Sequence, residues 1–201
     1  MGKQEWRLIL VLTVICVLSG GVLGWVNALT APVIEEQREL AKQRALQKAL
    51  PAATTFVEEE ALPKELESLG LEGIVEVHRA YHDGEEKGYV FIVDQRGYAG
   101  PIRMAVGVTP LGNLSALTVI DQSETPGLGA KIKNDKFLKQ PAFQEAQVGA
   151  ELAVKKDRGE VDAIASATIS SRAVVRGVNT ALSAAQSLLE VETTSGGEGV
   201  D

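Results

Sequence analysis

The 201-residue chain has one cysteine, two histidines and few aromatics, with two Trp, three Tyr and four Phe. A lone cysteine, Cys16, set in an apolar run, cannot build a disulfide, an iron–sulfur cluster or a cysteine-based zinc site within one chain. Any redox chemistry must therefore come from an organic cofactor. Basic residues are also in deficit. Lys and Arg number 20 against 27 Asp and Glu, for a net charge of -7, and a nucleic-acid surface would need clustered cations. With so few aromatics, Val, Ile, Leu and Ala must supply the core. There is no G-x-S-x-G, and neither His78 nor His82 has a Ser-His-Asp or Cys-His context, so no complete active site is expected. The two histidines would share a strand face with no acidic or Cys partner at ligand spacing. They read as surface residues, and no metal site is expected.

What is present begins with residues 8–26, LILVLTVICVLSGGVLGWV, which carry no charge. About 20 apolar residues are what a bilayer core requires of a helix. The run is longer than a signal-peptide core and has no small-x-small cleavage site at residues 25–27, so residues 1–30 read as a short N-terminus and an uncleaved transmembrane anchor. Lys3 and Arg7 precede it, Glu35 and Glu36 are the first charges after it, and Trp6 and Trp25 bracket it. The positive-inside rule then puts the N-terminus in the cytoplasm and the rest outside it, in an inner or cell membrane.

Residues 31–70 read as a helical stalk and linker. The stretch 33–50 is rich in helix formers, its apolar positions are sparse, and a solvated helix is expected there, followed by surface turns and a short helix over 58–67. Residues 71–191 read as one domain. Strands are expected at 74–82, 88–95, 102–108 and 114–120, with turns at Asp83-Gly84 and near Arg96-Gly97, as an antiparallel meander. Short helices are expected within 127–144, and a further strand at 161–164. From Ser170 the spacing of Val174, Val178, Ala181, Leu182, Ala185, Leu188 and Leu189 predicts an amphipathic helix packed across the sheet. Residues 192–201 read as a disordered tail. The fold class is α+β.

Two segments carry chemistry. Residues 162–168, DAIASAT, run from a strand end through small residues to a hydroxyl at a helix mouth, where unpaired N–H groups and the positive dipole end favour an anion. Thr168, Ser170 and Ser171 are the clustered hydroxyls there, and simple N-capping is the other reading of them. Residues 123–131, SETPGLGAK, form a loop in which Pro126 fixes one φ and Gly127 and Gly129 admit strained turns. Such a loop cradles a planar ligand or is an ordinary tight turn.

The run ETPGLG, about forty residues before a D-x-x-x-x-A-T segment and preceded by GYAGPIRMAVGV, resembles the FMN-binding domain shared by the G subunit of the Rnf complex and the C subunit of the sodium-pumping NADH:quinone reductase. The likeness covers nearly the whole chain. It implies an electron-transfer subunit in which a flavin transferase (ApbE-like) joins FMN through its phosphate to the Thr of a D-x-x-[ST]-G-A-T motif. Thr168 inherits the attachment role and Asp162 a role in transferase recognition. Ser166, Ala167, Ile169 and Ser170, with Glu124, Thr125, Pro126, Gly127, Leu128, Gly129 and Lys131, are the implied flavin contacts. Two positions depart from the motif: Ala165 stands where Ser or Thr is usual, and Ser166 where Gly is usual. A Gly position is open to φ > 0, which costs a residue with a Cβ. The chain's short length favours the Rnf G subunit, with the other membrane subunits of that ferredoxin:NAD⁺ oxidoreductase as partners and ion transport as the setting. The quinone reductase subunit is the alternative, and a membrane-tethered binding module without redox chemistry is the third.

Overall fold

The computed structural model describes residues 3–195. The chain divides into two units, the first ending at Lys42 and the second starting at Gln43. The first consists of most of helix α1 (Lys3–Ala49), which contains the apolar run; that run is long and apolar enough to cross a membrane, and its apolar window is wholly unburied. Pro32 removes one backbone donor from the helix without ending it, so the expected anchor and stalk are one element.

The second unit is built on a five-stranded antiparallel sheet: β1 (Thr55–Glu58), β2 (Ile74–His82), β3 (Glu85–Arg96), β4 (Pro101–Val108) and β5 (Leu114–Gln122), in that spatial order. Each strand pairs with the next, as in a meander. Helix α2 (Leu62–Ser68) joins β1 to β2; after β5 come a 3-10 turn (Gly129–Lys133), α3 (Asp135–Leu138), α4 (Pro141–Gln144), a second 3-10 turn (Lys155–Asp157) and the long α5 (Thr168–Ser195).

Both sheet faces are covered. In β3, Tyr89, Phe91 and Val93 point to one core and Val90 and Ile92 to another, the period-two alternation of a strand. The larger core joins them to Ile102, Met104 and Val106 of β4 and to Val174, Val178, Ala181, Leu182 and Ala185 of α5, the helical stripe expected from spacing. The smaller core sets Ala80, Val90, Ile92 and Ala105 against Ala45, Leu46, Ala49 and Leu50. A Cβ on Gly107 would collide with the carbonyl of Ala49, so only glycine lets the helix end lie this close to β4. The expectation of a solvated stalk is corrected here: Ala45, Leu46, Ala49 and Leu50 form a narrow i, i+1, i+4, i+5 stripe, and an Ala-Leu pair on each turn suffices against a sheet face that itself bears Gly and Ala.

Three further expectations change. The strand at 161–164 is a single parallel bridge between Val154 and Val161, because the next residue gives its backbone to a side chain: Asp162 N–H donates to Gln140 Oε1 at 2.7 Å, and Gln140 Nε2 donates to the Asp162 carbonyl at 3.1 Å. The tail expected to be disordered from 192 is helical through Ser195, and its remainder, 196–201, lies outside the described residues. His78 is not a surface residue. It is 4% exposed, and its Nε2 lies 2.9 Å from Glu76 Oε2. Glu76 is two residues earlier on the same strand and so on the same face, while Glu58 stands opposite His78 on β1, a strand not expected from sequence. His82 remains exposed, beside Asp83.

Candidate functional site

The two chemistry-bearing segments meet. A cleft of 430 Å³ is lined by Glu124, Thr125, Leu128 and Gly129 from the loop after β5, by Ser166, Ala167, Thr168, Ile169 and Ser170 from the start of α5, and by Tyr98 from the β3–β4 hairpin. That size lies within the ~300–1,000 Å³ range of small-molecule sites.

Glu124 ties these three segments together. It is 4% exposed. Its Oε1 accepts from the backbone N–H of Tyr98 at 2.7 Å and of Ala99 at 3.1 Å, and its Oε2 accepts from Ser170 Oγ at 2.7 Å. Buried, the carboxylate needs such donors. Gly129 packs against the latch: a Cβ there would stand 2.5 Å from Glu124 Oε2 and 2.9 Å from Ser170 Oγ. Glu124 thus lines the cleft as a brace.

The turn into α5 is tight. Ser166 has φ +63, the left-handed conformation that a glycine position admits. Ser171, fully buried, holds the turn from below: its Oγ accepts from Ile164 N–H at 3.0 Å and donates to the Ala167 carbonyl at 3.0 Å. Thr168 is then the first residue of α5, half-buried, with Oγ1 accepting from Lys156 Nζ at 3.1 Å. On the outer side, Lys155 pairs with Asp162 at 2.8 Å, and Arg172 grips Asp157 through Nε and Nη2 at 2.7 and 2.6 Å. The hydrogen bond from Arg172 holds the Asp157 carboxyl below its ordinary range, and Asp157 in turn raises Arg172.

Not every implied contact faces the cleft. Pro126 and Gly127, the latter at φ +78, turn the loop and do not line it. Lys131 and Asp162 line a separate groove with Gln140, Ala163 and Ala165. Lys156, Gln140 and Tyr98 were not expected from sequence. Tyr98 sits in the quoted GYAG run, but its place on the cleft with Thr168 depends on the Glu124 latch. Elsewhere, Glu58, Glu76 and His78 bring one ligand atom each within 4.8 Å of one another, against the expectation that the histidines lack acidic partners.

The cleft suits a flavin phosphate in its chemistry. A hydroxyl and an ammonium meet at a helix N-terminus, small side chains line the approach, and Tyr98, Leu128 and Ile169 are 71%, 43% and 48% exposed at the rim. Thr168 would hold the phosphate end and the three rim residues the ring.

Comparison with known proteins gives the family. Residues 97–183 match the family model of the FMN-binding domain, so the class is that of an FMN-binding domain, and residues 1–48 match the RnfG N-terminal region. The chain is 34% identical over 198 residues to the G subunit of the Na(+)-translocating ferredoxin:NAD(+) oxidoreductase complex of Acetobacterium woodii, covering 92% of this chain and 94% of that one. It is also 34% identical over 179 residues to the G subunit of the ion-translocating oxidoreductase complex of Pasteurella multocida, covering 84% and 87%. The chain belongs to the RnfG family, the G subunits of ion-translocating oxidoreductase complexes. The fold is shared with the crystal structure of the C subunit of the Na(+)-translocating NADH-quinone reductase from Parabacteroides distasonis, at TM-score 0.55 and 19% identity over 78% of this chain and 95% of that one.

Proposed function

We propose that this chain is the electron-transfer G subunit of a membrane ion-translocating ferredoxin:NAD⁺ oxidoreductase complex, carrying FMN through a phosphoester to Thr168. The observation that carries the reading is the convergence of the ETPGLG loop and the Ala167-Thr168 pair on one cleft, with Thr168 in its lining. FMN supplies the redox chemistry; the chain supplies position. The first turn of α5 presents unpaired N–H groups and the positive end of its dipole to the phosphate. Tyr98, Leu128 and Ile169 give a planar ring apolar surface to cover, and Glu124 keeps the hairpin and the loop at a fixed distance from the helix.

A hydroxyl does not condense with a phosphate monoester unaided in water, so the bond requires an activated flavin donor and an enzyme, the flavin transferase. In this reading the transferase recognises Asp162, which is exposed and salt-bridged to Lys155 six residues before the acceptor. The apolar part of α1 anchors the chain, with Lys3 and Arg7 on the cytoplasmic side and the FMN domain outside, beside the other Rnf subunits. In-gel flavin fluorescence after denaturation, with peptide mass spectrometry, tests this: wild-type chain from a host with the transferase carries one FMN on the Thr168 peptide, and Thr168→Ala carries none while remaining folded. Flavin retained by Thr168→Ala, or mapped to Ser166 or Ser170, refutes the attachment.

A further inference from the structure

Thr168 and Arg172 are four residues apart in α5 and so share one helix face. The 3-10 turn Lys155–Asp157 lies along that face, with Lys156 Nζ on Thr168 Oγ1 at 3.1 Å and Asp157 on Arg172 at 2.6 and 2.7 Å. The turn is fixed from within: Asp157 N–H donates to the Val154 carbonyl at 2.7 Å, Gly159 N–H to the same carbonyl at 3.1 Å, and Lys155 N–H to the Val161 carbonyl at 2.9 Å. Arg158, at φ +65, closes it. Three cationic groups crowd this helix mouth. Lys155 gives its hydrogen bond to Asp162 and Arg172 gives its pair to Asp157, but Lys156 directs its hydrogen bond at the acceptor hydroxyl, though its charge also bears on Asp157.

We propose that Lys156 is the flavin-phosphate-holding residue of this site and that the Asp157–Arg172 pair is the clamp that positions it; this rests on Thr168 being the attachment point. An ammonium has three donors. With one on Oγ1, the others meet the non-bridging oxygens of a phosphate bonded to that same oxygen, a charge-assisted contact. The same geometry serves bond formation. Because Thr168 Oγ1 accepts from Lys156, its own proton is left to depart to a base of the transferase. The Oγ1–P bond forms as the pyrophosphate P–O bond of a flavin dinucleotide breaks, a nucleoside monophosphate leaves, and no electrons change hands. Lys156 stabilises the charge gathering on the phosphoryl oxygens.

The test uses the full chain in detergent with purified flavin transferase and flavin adenine dinucleotide, following covalent flavin by intact mass and in-gel fluorescence. Lys156→Gln should lower the maximal rate of attachment about tenfold or more, the effect of losing one charge-assisted hydrogen bond. Lys156→Arg should recover most of it, and Asp157→Asn should lie between. Lys156 is exposed, so the melting temperature should stay put. An unchanged rate for Lys156→Gln overturns the proposal. So does a change confined to the chain concentration that half-saturates the transferase, which would make Lys156 a docking residue. Absence of flavin from wild-type Thr168 instead defeats the attachment reading beneath it.

Discussion

Ser170 Oγ donates a 2.7 Å hydrogen bond to Glu124 Oε2 in the buried floor of the cleft, joining residues 46 apart in sequence. The same carboxylate accepts from Tyr98 and Ala99 N–H on its other oxygen. Glu124→Ala leaves the buried Ser170 hydroxyl without its acceptor and releases the backbone N–H groups of the exposed residues Tyr98 and Ala99 from the carboxylate. It should cost about 2–3 kcal/mol, the usual loss for hydrogen bonds to a charged group. Glu124→Gln keeps an acceptor for the hairpin, and Ser170 can rotate to accept from the amide, so its loss should be the smaller. Urea midpoints of the two variants at unchanged m-value check the order.

Ser166 tests the backbone argument directly. At φ +63 a residue with a Cβ carries about 1–2 kcal/mol of strain, and glycine there relieves it while adding about 0.5–1 kcal/mol of unfolded-state entropy. Ser166→Gly should therefore be neutral to stabilising by up to about 1 kcal/mol and should keep flavin attachment. Ser166→Val, β-branched, should destabilise the domain. Equal midpoints for Gly and Val would show that the turn is not under strain.

Legibility divides along physical lines. The meander and the stripe of α5 are readable because short β-branched runs bounded by Gly-containing turns, such as 88–95 before Arg96-Gly97, and the helical spacing of Val174 to Ala185 are local properties of the sequence. For residues 162–168 and the loop 123–131, hydroxyls, Pro and Gly alone leave caps and an ordinary turn open; it is the family resemblance of ETPGLG and the D-x-x-x-x-A-T segment that singles them out, and Ser166 departs from that motif in the sequence itself. What escapes is non-local. Lys156 has no local signal, since its meaning comes from a turn lying along α5. Glu58 joins His78 only through β1, whose four residues are too few for an alternation to register. The burial of Leu46 and Leu50 depends on Gly107, more than fifty residues away, leaving room for them.

That last contact yields a truncation pair. A chain starting at residue 31 loses the apolar run but keeps Ala45, Leu46, Ala49 and Leu50, and should be a soluble, folded domain. A chain starting at residue 52 uncovers Val90, Ile92 and Ala105, all essentially fully buried, and should aggregate or melt far lower, since an exposed apolar sheet face is an association surface. Size-exclusion chromatography and thermal melts of the two decide it. Equal behaviour would mean the helix end contributes nothing to the core.

The Asp157–Arg172 pair gives a pH dependence. Because the folded Asp157 carboxyl is held below its ordinary value by Arg172, its contribution is fully present above the unfolded aspartate value of about 4. It is lost only as pH falls through the lower folded value. Arg172 stays charged throughout. The Arg172 Nε–H resonance should hold its position from pH 7 to about 4 and move below that, and Asp157→Asn should abolish the step. A shift centred near neutrality would exclude Asp157 as its source.

The meander has a consequence for timing. Each strand finds its partner in the stretch of chain made just before or after it, so the sheet can assemble as the polypeptide emerges. The cleft cannot. Its walls come from residue 98, residues 124–129 and residues 166–170, and the helix that closes it is the final element described in the chain. Any enzyme that modifies Thr168 by recognising the finished cleft must wait until the chain has been made through α5, so that chains cut short before that helix would stay unmarked.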